Sequence, residues 1–105
     1  GVLASELAEL GLRVIAVDNS ARMLEAAHAK LGGSAAAGRV ELREGDVGAL
    51  PIADAEVDAA LAHMVLHYVP SPGEAVREMA RIVKPGGSVV VVDFVRSTSW
   101  VDFVV

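Results

Sequence analysis

Cysteine is absent from the 105 residues, so disulfides and thiolate chemistry are excluded and the redox compartment is left open. Basic charge is in short supply, with nine Lys and Arg against fourteen Asp and Glu and a net charge of −5. That balance argues against a nucleic-acid-binding surface, which needs a basic footprint. No uninterrupted apolar stretch is long enough to span a bilayer. No phosphate loop ending in Gly-Lys-Ser/Thr exists, and nothing resembles a Ser/His/Asp triad. Apolar side chains, by contrast, make up 53% of the chain and charged ones only 22%. That composition excludes intrinsic disorder and predicts a buried core. The length suits one small domain, residues 1–105.

Segments of helical period alternate with β-rich runs. Leu3, Leu7 and Leu10 mark a first helix that Gly11 stops. Val14-Ile15-Ala16-Val17 reads as a strand buried on both faces, ending in Asp18. Ser20 caps a second helix carrying Met23, Leu24, Ala27 and Leu31, closed by Gly32-Gly33. Residues 34–38 read as a loop. Arg39–Arg43 alternates polar and apolar, as an edge strand does, and Val57–Ala62 is a further apolar strand. His63–Val69 reads as a helical turn or a loop. Ser71-Pro72-Gly73-Glu74 predicts a capping box at the start of a third helix, with Val76, Met79, Ala80 and Val83 as its apolar stripe. Arg77, Glu78 and Arg81 then face water. Lys84-Pro85-Gly86-Gly87 reads as a turn, and Ser88–Val95 as the last strand. Strands alternating with helices predict an α/β protein with a mostly parallel, Rossmann-like sheet.

Ligands of such sheets bind beyond the carboxyl ends of the strands, which singles out Asp18-Asn19, Asp46-Val47, His63-Met64 and Asp93-Phe94. A carboxylate ending an apolar strand, 17 positions after Gly1, stands where nucleotide folds hold ribose hydroxyls. Its two oxygens can accept both hydroxyl protons. The plainer reading makes Asp18 a solvated acid that caps the next helix. Asp46 could accept from an exocyclic amine while the Val47 N–H meets a ring nitrogen, or Gly45-Asp46 is an ordinary turn. Met23 could cover a purine face or belong to the core. His63 and His67 lack a third ligand at suitable spacing, so no metal site is expected. An imidazole at His63 suits a general base, whereas His67 reads as a polar residue bordering a cleft. His28 reads as surface.

Taken in order, Asp18-Asn19-Ser20-Ala21-Arg22-Met23-Leu24, Glu44-Gly45-Asp46-Val47, Leu50-Pro51, Val57-Asp58 and Lys84-Pro85-Gly86-Gly87 resemble the class I S-adenosylmethionine-dependent methyltransferases. The branch most resembled is the small-molecule one that includes ubiquinone and menaquinone biosynthesis enzymes. Ala62-His63-Met64-Val65-Leu66-His67-Tyr68-Val69-Pro70 also fits that branch. The resemblance covers about residues 1–95 and implies S-adenosylmethionine as cofactor and a small-molecule acceptor. It also implies a cytoplasmic enzyme with no metal, nucleic acid or membrane as partner. Carried over by position, Gly1 resembles the last glycine of the family's loop. Asp18 holds the ribose, Asn19 and Met23 flank the adenosine, and Asp46 and Val47 meet the adenine. His63 contacts the methionine part of the cofactor or the acceptor, and is the catalytic candidate.

The chain starts at Gly1, just after where the family has its first, central strand and leading loop glycines. It stops before the family's final strands. The resemblance therefore predicts a partial methyltransferase domain over 1–105 that, alone, is poorly stable and binds S-adenosylmethionine weakly. Two alternatives remain. A nicotinamide-binding Rossmann domain would give Asp18 the same ribose role, although no Tyr-x-x-x-Lys pair is present. A methyltransferase-like module fused to a transcriptional regulator is the other.

Overall fold

Two βαβ units account for the architecture. In the computed structural model, which describes residues 2–32 and 37–93, the chain divides into compact units Gly1–Val47 and Gly48–Val105. Gly1, Gly33 and the loop residues up to 36 lie outside the described residues, as do Phe94, Val95 and all that follows.

The first unit opens with α1 (Val2–Glu9). Its end follows from Gly11, whose φ of +93° is costly for any residue with a Cβ. There the Gly11 N–H donates to the Ala8 carbonyl and the Leu12 N–H to that of Leu7, the paired bonds of a Schellman ending. Strand β1 (Val14–Asp18) leads into α2 (Ala21–Leu31), and the Ser20 hydroxyl accepts from the Met23 N–H as the expected N-cap. A 3-10 turn over Ala37–Arg39 precedes β2 (Val40–Glu44), one residue later than the alternation predicted. The strands run parallel, with Val14 opposite Val40 and Asp18 opposite Glu44. Parallel neighbours cannot be joined by a hairpin, and α2 supplies the crossover. The Arg39 Nε donates to the Ala8 carbonyl over 2.7 Å, tying the end of α1 to the entrance of β2. Every residue of β1 is half-buried, not enclosed on both faces as its apolar run predicts. Among the described residues it has a single ladder partner, so its other edge gains no cover.

The second unit runs β3 (Val57–His63), a 3-10 turn (Leu66–Tyr68), α3 (Pro72–Ile82) and β4 (Val83–Val92). β3 and β4 are again parallel, from Ala59 opposite Ser88 to His63 opposite Val92. The predicted capping box does not form, because the Ser71 side chain makes no cap hydrogen bond. Its carbonyl instead receives the Glu74 and Ala75 N–H groups. The buried stripe of α3 is Ala75, Met79 and Ile82, spaced i, i+4, i+7, with Val76 and Ala80 at its margin.

Arg81 and Glu78 do not simply face water. Arg81 binds Glu78 through Nε at 2.6 Å, Asp54 through Nη1 at 2.7 Å and the Leu50 carbonyl at 3.1 Å. The Leu50 N–H donates back to Glu78 at 2.8 Å. The guanidinium, and then the Leu50 N–H, hold the Glu78 carboxyl below the usual carboxylate range against the opposing effect of burial. This clamp fastens the irregular segment before β3 to the helix.

Lys84–Gly87 lies inside β4, not before it. Between the Val57–Val83 and Ala59–Ser88 pairs, Asp58 alone faces Lys84-Pro85-Gly86-Gly87, so the ladder bulges there. Gly86 takes the expected positive φ, +84°. At Gly87 a Cβ would collide with the Asp58 carbonyl oxygen and the Val83 side chain.

Candidate functional site

In the first unit, Asp18 closes β1 and its Oδ1 accepts the Ser20 N–H over 2.9 Å. One oxygen therefore does the helix-entry work that the plainer reading assigned to the whole carboxylate. The second oxygen has no hydrogen-bond partner among the described residues. The Asp18 carbonyl accepts from the Gly45 N–H at 3.0 Å, and Glu44 is its register partner. Gly45-Asp46-Val47 thus leave β2 beside Asp18. Asn19 and Asp46 are exposed, and Val47 is half-buried. Met23, in the first turn of α2, is 58% exposed and so is not core. The sequence-predicted residues Asp18, Asn19, Met23, Asp46 and Val47 therefore gather at the carboxyl end of one strand pair. Gly1 lies outside the described residues.

This arrangement fits a nucleoside. An available carboxylate oxygen accepts from a ribose hydroxyl, and an exposed thioether next to it offers an apolar surface to a base. A hollow of about 340 Å³ lined by His28, Leu31, Gly32, Val40, Glu41 and Leu42 is distinct from this place. It sits at the end of α2 and the beginning of β2, away from the strand ends.

In the second unit, His63 is the last residue of β3 and exposed, and its side chain makes no hydrogen bond among the described residues. Met64 then turns the chain with a φ of +57° while its N–H donates to the Val92 carbonyl at 2.6 Å. Leu66 is buried and seats the 3-10 turn. Beyond it, His67 Nδ1 lies 2.6 Å from Asp93 Oδ1, and the His67 N–H donates to Oδ2 at 3.2 Å. The two side chains are 28% and 12% exposed, so the pair is partly screened from water. The His67 and Tyr68 rings lie 3.9 Å apart, with Tyr68 exposed.

Sequence reasoning inspected Asp93 and His67 separately but did not join them, because they stand 26 positions apart. Asp93 directly follows β4, and His67 lies four residues beyond the end of β3. Among the described residues no group of three or more His, Cys, Asp or Glu is placed to hold a metal ion. No helix among them is long and apolar enough to cross a membrane.

Residues 1–91 match the methyltransferase domain family. A demethylmenaquinone methyltransferase of Desulfitobacterium hafniense (strain Y51) is 40% identical over 96 residues, covering 91% of this chain and 38% of its own length. The chain thus spans well under half of that relative. A SAM-dependent methyltransferase structure from Thermotoga maritima superposes with a TM-score of 0.66 at 30% identity, covering 81% of this chain and 37% of that one. The [4+2]-cyclase SpnF superposes with a TM-score of 0.71 at 29% identity, over 75% of this chain and 29% of its own.

Proposed function

Because the chain belongs to the methyltransferase domain family, we propose that it binds S-adenosylmethionine and serves methyl transfer to a small-molecule acceptor. When bound, that cofactor supplies an electrophilic methyl group, so the protein's work is to hold, orient and exclude water. The observation that carries the reading is the constellation around Asp18. The carboxylate keeps one oxygen on the Ser20 N–H and offers the other to the ribose. Met23 and Asn19 flank the adenosine, Asp46 accepts from the adenine amine, and the Val47 backbone lines the ring. His63, exposed at the end of β3, is the catalytic candidate of the second unit.

The names of the relatives support a small-molecule acceptor, since a demethylmenaquinone methyltransferase acts on a quinone-type molecule by its own name. Thermal melts of the natural full-length protein with S-adenosylhomocysteine and with NAD separate this reading from a nicotinamide-binding one. S-adenosylhomocysteine is expected to raise the Tm and NAD to leave it in place. A larger shift with NAD would overturn the assignment.

A further inference from the structure

Three methionines carry all the sulfur of the 105 residues, because cysteine is absent. Their surroundings differ. Met79 lies in the buried stripe of α3 and is 6% exposed, and Met64 is half-buried in the bend after β3. Met23 is 58% exposed. Peroxide oxidises a thioether where it can reach the sulfur, so exposure ranks the three and puts Met23 first. Met23 is also tied to the nucleoside site through its backbone. Its N–H donates to the Ser20 hydroxyl, and the Ser20 N–H donates to Asp18 Oδ1. All three residues belong to the first unit. With more than half of its surface in water, the Met23 side chain adds little to folding.

We propose that Met23 is an oxidation-sensitive switch on the nucleoside site, whose conversion to the sulfoxide by hydrogen peroxide weakens cofactor binding, an inference that rests on the methyltransferase reading above. In the step, the sulfur lone pair forms a bond to one peroxide oxygen as the O–O bond breaks. The electron pair of that bond leaves on the second oxygen, which takes the proton of the first and departs as water. Sulfur is oxidised by two electrons and the peroxide is reduced by two. A dithiol reverses the change through methionine sulfoxide reductases, giving the thioether, a disulfide and water. The consequence for binding follows from polarity. An apolar, polarizable flank becomes a polar S=O group. A purine face laid over it strips water from that oxygen and supplies no donor in return. Folding is spared, because in the free protein the new oxygen stands in water. A sulfoxide at Met79 would instead have to enter the buried stripe of α3.

The test treats the natural full-length protein with hydrogen peroxide and follows it by peptide mass spectrometry and by calorimetry with S-adenosylhomocysteine. Met23 should be oxidised at least about tenfold faster than Met79, and saturating S-adenosylhomocysteine should slow its oxidation about fivefold or more. Protein oxidised at Met23 should bind S-adenosylhomocysteine about tenfold more weakly than untreated protein. The Tm of the free protein should move by less than about 2 °C. Methionine sulfoxide reductases with dithiothreitol should restore the affinity. In Met23→Leu the same peroxide treatment should change affinity by less than about twofold relative to the untreated variant, which assigns the effect to this sulfur. If Met23→Leu fails to fold, ligand protection and enzymatic repair of the wild type decide the matter. Oxidation of Met23 no faster than that of Met79, no protection by ligand, undiminished affinity of the sulfoxide protein, or an equal loss in Met23→Leu would overturn the proposal. Untreated wild-type protein that fails to bind S-adenosylhomocysteine sinks the methyltransferase reading itself.

Discussion

At the scale of single residues, two histidines four positions apart are given different work by their surroundings. His63 ends β3 in the open, whereas His67 is fastened to Asp93. The account therefore expects His63→Ala to lower kcat several-fold while S-adenosylhomocysteine affinity stays within about threefold, since the residues proposed to hold the nucleoside are others. Calorimetry beside steady-state turnover checks this, and an affinity loss larger than the kcat loss would contradict it. Met23 gives the converse expectation. An exposed apolar side chain adds little to folding, so Met23→Ala should leave the Tm nearly unchanged but weaken S-adenosylhomocysteine binding by about three- to tenfold. Unchanged binding would return Met23 to the plain surface of α2. Asp18 was legible in the sequence because a carboxylate closing an apolar run stands out locally. The His67–Asp93 pair was not legible, because only the β3–β4 register brings residues 26 positions apart together.

Elements were legible where local chemistry decides them. Gly11 ends α1 and Ser20 starts α2 as their residue types predict, because a positive φ and a free hydroxyl act within one turn. Reading failed where a distant partner intervenes. Glu78 and Arg81 look like solvent-facing charges on α3, yet Glu78 accepts from the Leu50 N–H, and Arg81 donates to Asp54 and the Leu50 carbonyl. Lys84–Gly87 looks like a turn, and it becomes a bulge because Asp58 of β3 lies against it. Two expectations belong here. Glu78 has a lowered pKa, so its contribution to stability is present above the usual carboxylate range and is lost as pH falls through the lowered value. Wild-type protein should accordingly lose more Tm than Glu78→Gln between pH 6 and a strongly acidic pH, and parallel curves would refute the clamp. Gly87→Ala should destabilise by about 1–3 kcal/mol in denaturant unfolding, because its Cβ meets backbone that cannot step aside. A neutral Gly87→Ala would mean that the bulge relaxes freely.

At the scale of the whole molecule, the high apolar content does not translate into a large enclosed core among the described residues. There the buried apolar residues are Ala8, Leu31, Ile52, Leu66, Ala75, Met79, Ile82 and Val83, while Leu10, Leu12, Leu61, Tyr68, Val90 and Val92 are exposed. Leu61 and Val90 are register partners, as are His63 and Val92, so one face of the β3–β4 pair is open and apolar. Among the described residues β1 and β3 each keep one unpaired edge. Such edges and faces gain from further strands and layers. The central claim concerns Asp18, and Asp18→Asn tests it most directly. That variant keeps an oxygen for the Ser20 N–H and puts an uncharged NH2 donor where the carboxylate offers the ribose an acceptor. Calorimetric titration of the natural full-length protein with S-adenosylhomocysteine should show affinity falling about tenfold or more, a loss of roughly 1.4 kcal/mol, with the Tm of the free protein little changed. Undiminished affinity in Asp18→Asn would contradict the account.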